Sequence, residues 1–310
     1  MSAPHPPPFQ GPPQGQPQQQ PPGYPQGPPQ GFPQGKPPGY AQGAPASYQG
    51  PVLDVSGTPP IPFARLVKVE LRKALDTSAG FWLLAAIAVL IIIVEGFLLV
   101  IGLLNGDTQY RLVDFTTLGG YVLQPLLPIV VALQVTSEWS QRTAMVTFAT
   151  EPRRLVVVYA KLAAGAMVAL LMTVVLFAVA LVCLLLLWVF QDNVDWGTSL
   201  SGTVGLLVFL FVGVAVAFAA ATLLLNTPAT IVTFLAVIYA VPTVVATIGA
   251  LWADFRDFGR YLNLQGALYP VLSGTLDSGS EWARLLVALL IWVVIPVGLG
   301  MTRILKAEVK

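Results

Sequence analysis

Beyond residue 80 the chain is organised as six apolar runs, at about 80–104, 116–135, 162–190, 202–225, 229–251 and 282–301. Each is close to or above the roughly 20 residues a helix needs to cross the hydrocarbon of a bilayer. Runs of that length leave few alternatives, because a backbone in hydrocarbon has to satisfy its own hydrogen bonds. With 55% hydrophobic residues against 10% charged ones, the expectation is an all-α integral membrane protein with six transmembrane helices. The third run is long enough to tilt or to extend past the bilayer. The second, interrupted by Pro125 and Pro128, is expected to be the shortest and most distorted.

Residues 1–60 are different material. Twenty of the 27 prolines fall in the first 62 residues, and an eight-residue repeat brings back Gly23-Tyr24-Pro25-Gln26-Gly27 as Gly31-Phe32-Pro33-Gln34-Gly35. Such a segment has too little apolar surface to offset chain entropy, so a disordered tail with polyproline II character is expected. It is either a solubilising extension or a ligand for a Pro-recognising partner. The first apolar run starts too late for a secretory signal peptide, which keeps the tail in the cytosol. Eleven of the 16 basic residues (Arg65 to Lys73, Arg142 to Lys161, Arg303 to Lys310) then lie on the tail's side of the membrane, against Arg111, Arg256, Arg260 and Arg284 on the other. That bias makes both termini cytosolic.

Several function classes are disfavoured. There is no GxxxxGK[ST] phosphate loop, no HExxH, no GxSxG and no pair of acids within an apolar run, so an enzyme is not expected and no catalytic residue is assigned. The single histidine, His5, is in the tail, which excludes a His-based metal site in the membrane, and the single cysteine, Cys183, cannot form an intrachain disulfide. Glu95 is the one acid deep inside a run. A charge there is expensive. Glu95 either lines a route or a subunit interface, or is a protonated acid bonded to a neighbouring hydroxyl or carbonyl, and both readings stand. One ionisable group at depth is too few for an ion-coupled secondary transporter.

Two polar segments border the spans on the basic side. Over residues 61–78 a helical wheel places Phe63, Leu66, Val67, Leu71, Ala74 and Leu75 on one face and Arg65, Lys68 and Arg72 on the other, the pattern of an amphipathic helix lying at the membrane surface. Glu70 falls on the apolar side, where it needs a basic partner such as Lys73, Arg72 or a residue of the loop after the second span. The loop 137–154 is expected to hold a helix over 138–150, capped by Ser137 and stopped by Pro152, with Ser140, Thr143, Thr147 and Thr150 on one face. On the opposite side, the long loop 252–281 spaces Trp252, Phe255, Phe258 and Leu262 as a helix does, with Gly266, Pro270 and Gly274 as breakers.

These residues carry a resemblance. Glu70-x-x-Lys73 followed by Trp82-Leu83-Leu84, Glu138 with Thr143 five residues on, Pro152-x-Arg154 and Ala160-Lys161 resemble, in order and spacing, the permease subunit of the ABC transporter type-2 (exporter) family. The resemblance covers residues 63–305. It departs at Arg142, where a glycine usually precedes the loop threonine, and at Asn263, where a proline often follows Tyr-Leu.

The tail (1–60) is not part of the family core; the resemblance implies a connecting helix (61–78), a six-helix permease domain (79–305) with coupling loop 137–154 and outer re-entrant loop 252–281, and a cytosolic end (306–310). It further implies a homodimer in a bacterial cell membrane that exports a hydrophobic or amphipathic solute. ATP and magnesium would be held by a separate ABC ATP-binding subunit, with no cofactor on this chain and no nucleic-acid partner. Glu138, Arg142, Arg153 and Arg154 would couple to the ATPase, Glu70 and Lys73 would support that interface, and Glu95 would line the path or the dimer seam. The competing expectation is a non-transport membrane scaffold whose Pro-rich tail recruits cytosolic partners.

Overall fold

The computed structural model describes residues 60–306 apart from 107, 193 and 198. The expected tail lies outside the described residues, as do the last four residues of the chain.

Helix α1 (Phe63–Asp76) follows Pro62 and stops where Thr77 turns extended. The Thr77 hydroxyl accepts from the Gly80 amide at 3.2 Å, which caps α2 (Ser78–Leu104). Next come α3 (Leu112–Ser140), α4 (Ala144–Thr150) and α5 (Arg154–Gln191). Ser199 caps α6 (Leu200–Leu224) and Asn226 caps α7 (Thr227–Leu235) through their side chains. A π-helical turn, Ala236–Ala240, joins α7 to α8 (Val241–Leu251). Two shorter helices follow, α9 (Ala253–Leu262) and α10 (Leu264–Ser273). Finally α11 (Gly279–Leu289) passes through a second π turn, Leu290–Val294, into α12 (Ile295–Lys306).

Among the described residues, six helices are long and apolar enough to cross a membrane: α2, α3, α5, α6, the α7–α8 unit (Thr227–Leu251) and the α11–α12 unit (Gly279–Lys306). They match the six apolar runs. The described residues are otherwise without sheet, apart from an isolated bridge between Tyr110 and Val194.

The core follows a central pair. Helices α3 and α6 share the most extensive contact in the bundle and are buried along most of their length, whereas α2, α7–α8 and α11–α12 leave most of their apolar surface open. Leu123 and Leu127 of α3 and Leu206 and Leu210 of α6 are almost inaccessible. Helices α2 and α5 flank the pair on one side and α10 and α12 on the other. α10 packs backbone against backbone on α6, since a Cβ on Gly205 would overlap the Val271 carbonyl.

Three expectations about elements need correction. α3 is 29 residues long and unbroken through Pro125 and Pro128, because packing against α2, α5, α6 and α7 holds the turns that each missing amide weakens. α3 also continues to Ser140, so Ser137 and Glu138 belong to its last turns and the loop helix α4 is only seven residues long. Gly266 and Pro270 lie inside α10 and do not break it. Gly266, whose carbonyl Pro270 leaves without a helical partner, is exposed, and the break comes at Gly274 with φ +68°.

Candidate functional site

At the end of the bundle that carries α1 and α4, four charged side chains from three helices meet, three of them out of solvent. Glu70 of α1, Glu138 of α3 and Lys161 of α5 are buried, and Lys73 of α1 closes the group from a half-exposed position. Lys73 Nζ donates to Glu70 Oε1 and to Glu138 Oε1, both at 2.7 Å. Lys161 Nζ donates to Glu70 Oε2 at 2.8 Å and lies 3.0 Å from Glu138 Oε1. Two carboxylates and two ammonium groups thus alternate in a neutral ring. Gln134 of α3 braces it, its carbonyl 3.4 Å from Lys161 Nζ and its side-chain amide donating to the Glu70 carbonyl at 3.5 Å. Burial of the Lys73 ammonium acts to lower its pKa, but the hydrogen bonds to Glu138 and Glu70 outweigh it and the value is raised.

The local sequence explains the placement. Glu70 lies among the apolar residues of α1, and Glu70 and Ala74 are the residues that α1 buries. Arg65, Lys68 and Arg72 stay exposed. Phe63, grouped with the apolar face on the wheel, is 47% exposed at the helix start.

Behind this ring, the connection around α4 is pinned by two arginines. Arg153 grips Glu151 with two bonds, Nε to Oε1 at 2.7 Å and Nη2 to Oε2 at 2.9 Å, and reaches the Ile61 carbonyl ahead of α1 at 2.9 Å. The Arg153 side chain holds the Glu151 carboxyl below its usual value. Arg154 donates to the Ile304 carbonyl near the end of α12 at 2.9 Å, and its guanidinium lies 5.2 Å from the centre of the Phe148 ring. Phe148 in turn packs on Trp139 of α3, ring centres 5.9 Å apart. Thr227 accepts the start of α7 into the same end through hydroxyl contacts with Thr136 at 2.7 Å and Ser140 at 3.1 Å.

Of the four residues expected to couple to a partner, the structure therefore brings Glu138 into the ring and engages Arg153 and Arg154 within the chain. Arg142 is exposed at the tight turn before α4, with φ +58°, and no described residue pairs with its side chain. Met145 (48% exposed) and Val146 (66%) lie beside it on the open face of α4. Glu70 and Lys73 are in the ring. Glu95 is elsewhere: it is fully buried among α2, α3 and α5, with Oε1 against the space above Gly119 beside Leu176. Neither of its carboxyl oxygens has a hydrogen-bond partner, so the bonded-acid reading finds no hydroxyl or carbonyl here. A group so enclosed also offers no surface for a second copy to pack on.

Sequence reasoning missed Gln134 and Glu151 and read Lys161 only as a flanking charge. Glu151 left a signal two residues before Arg153; Gln134 left none. In comparisons with known proteins, no family model matches the chain and no curated protein matches it.

Proposed function

We propose that this chain is the permease subunit of an ATP-driven exporter of the ABC type-2 kind. It acts as a homodimer in a bacterial cell membrane, with both termini in the cytosol and a separate ATP-binding subunit docked there. The observation that carries the reading is the neutral ring of Glu70, Lys73, Glu138 and Lys161, three of them buried, at the end of the bundle that carries a short exposed loop helix.

Burying ion pairs is a poor way to gain stability compared with apolar packing, whereas it defines position sharply. Here it makes α1, α3 and α5 one mechanical unit. Helix α4 and the turn before it present Met145, Val146 and Arg142 outward, while Phe148 and Arg154 connect α4 to Trp139 of α3 and to the end of α12. A displacement of α4 by an ATP-hydrolysing partner would be passed to all of these helices together, which is what a lever between a motor and a membrane path requires. In this reading Arg142 contacts the partner, Glu138, Arg153 and Arg154 transmit its movement, and Glu70 and Lys73 anchor the interfacial helix. Glu95, enclosed between α2, α3 and α5, reaches the path only when those helices separate. The solute is hydrophobic or amphipathic, and ATP with its magnesium is bound by the partner.

The test is purification of the whole tagged chain in mild detergent from cells that produce it. An ATP-hydrolysing protein is expected to accompany it, and the pair should lose most of its coupled ATP hydrolysis in Glu138→Gln/Lys161→Gln while still co-purifying. A stable chain that comes down with no ATP-binding protein overturns the proposal.

A further inference from the structure

At the end of the bundle away from the charge ring, two open cavities meet at one side chain. The first, of about 320 Å³, is lined by Tyr121, Phe209, Pro242, Tyr269 and Asn263 among others. The second, of about 360 Å³, lies between α8 and α9 and is lined by Val245, Ala246, Gly249, Arg256, Arg260 and again Asn263. Each is of the size that holds a small ligand. Asn263 is itself fixed, its Oδ1 accepting from the Gly266 amide at 2.8 Å, so the junction between the two spaces is rigid.

The charges of α9 are segregated. Asp254 and Asp257 are absent from the lining of the second cavity, and Arg256 and Arg260, one turn apart, both line it. Arg256 spends one donor, Nε, on the Gly249 carbonyl at 3.2 Å, and no described residue takes its terminal nitrogens. Arg260 has only a loose contact with Asp257, 3.3 Å away and 85% exposed in its side chain, a pair of little energetic weight. Two arginines with unspent donors therefore line a groove whose other wall is Val245, Ala246 and Gly249.

We infer that this groove binds an amphiphile with a phosphate or carboxylate head and an apolar chain. The head is held between Arg256 and Arg260, and the chain runs past Asn263 toward Tyr121 and Phe209. Guanidinium forks match such anions in two-pronged fashion, and the tilted Tyr121 and Phe209 rings, 6.2 Å apart, give an apolar chain a surface. The inference concerns binding alone and stands whether or not the chain is a permease. An acidic phospholipid of the bilayer and a transported amphiphile share this chemistry.

The experiment uses the full chain in dodecyl maltoside, followed by native mass spectrometry and by titration with three probes: phosphatidylglycerol, phosphatidylcholine and dodecyl phosphate. The wild type is expected to prefer the anionic probes. Arg256→Gln/Arg260→Gln should weaken them by about tenfold or more, the loss of one to two charged hydrogen bonds, and leave phosphatidylcholine unchanged. Arg260→Gln alone serves if the double variant does not fold, with a severalfold loss expected. Arginine-dependent binding of phosphatidylglycerol assigns the site to bilayer lipid, and arginine-dependent binding of dodecyl phosphate without it assigns the site to a single-chain solute. Equal binding of all three probes, or anionic binding unaffected by the substitutions, overturns the inference.

Discussion

Arg142 adopts φ +58°, a region where the β-carbon of an ordinary residue crowds its own backbone at a cost of about 1–2 kcal/mol. Arg142→Gly is expected to be close to neutral, since relief of that strain is offset by the roughly 0.5–1 kcal/mol that glycine's freer unfolded chain costs. Arg142→Val should open the turn, read as faster exchange of the Thr143 amide, which donates to the Glu138 carbonyl at 2.9 Å. In the charge ring, Lys161→Met leaves two buried carboxylates with one ammonium and should cost about 3–5 kcal/mol, recovered in part by adding Glu70→Gln, as read from a double-mutant cycle on thermal unfolding in detergent. Because the folded pKa of Lys73 is raised above its ordinary 10.5, its contribution is complete below that value and is lost only as pH rises through the folded one. A thermal midpoint that fell between pH 7 and 9 through Lys73 would contradict the geometry. Glu95 carries two unpartnered oxygens, so Glu95→Met should raise stability by about 1–2 kcal/mol; raised stability together with lost transport would show that the acid is kept for function. How much of this was legible differs residue by residue. A glutamate on the apolar side of α1 announces a basic partner, and Lys73 three positions on is within reach of sequence reasoning. Lys161, 91 residues away from Glu70, becomes its partner only because α1 packs on α5.

The helices show the same division. Apolar runs mark where hydrocarbon length is available, and all six appear as helices, but polar ends are invisible to that criterion. Thr136 and Glu138 extend α3 because each has a partner across the bundle, a hydroxyl of Thr227 or an ammonium of Lys73. The two π turns were equally hidden. Each ends just before a proline, Pro242 or Pro296, and the wider turn moves a carbonyl away from the ring that would clash with it. Val241 and Ile295 accordingly donate to carbonyls five residues back. The second π turn also carries Trp292, whose indole N–H donates to the Leu262 carbonyl at the end of α9, 2.8 Å away, tying the last span to the α9–α10 pair. The short connection after α4 has a different sensitivity. The Glu151 carboxyl is held below its usual 4.5 first of all by the Arg153 side chain. Its contribution is therefore present above that value and disappears as pH falls through the depressed one. Hydrogen exchange should find the first turn of α5 protected at pH 7 and loosened near pH 3, with the acid step absent in Glu151→Gln.

For the molecule as a whole, the question that separates the two readings of function is whether the membrane bundle or the Pro-rich tail carries the activity. The described residues, 60–306, fall within one compact unit. Among the described residues, the first anchored atom at the amino-terminal side is the Ile61 carbonyl, held by Arg153, and Pro62 stands at the head of α1. A cut before residue 58 therefore leaves in place every described group of the charge ring and of the α4 connection. The shortened chain is expected to fold, to retain its thermal midpoint within a few degrees, and to retain both the accompanying ATPase and its coupled hydrolysis. A scaffold whose tail recruits partners behaves oppositely, keeping its fold and losing its partners. A cut four residues further in, which takes away Ile61, should loosen the Arg153 tether and the first turn of α1 even if the tail is irrelevant. Comparing the two truncations distinguishes loss of a recruiting segment from damage to the lever, since only the second is expected to alter amide exchange in α1 and α5.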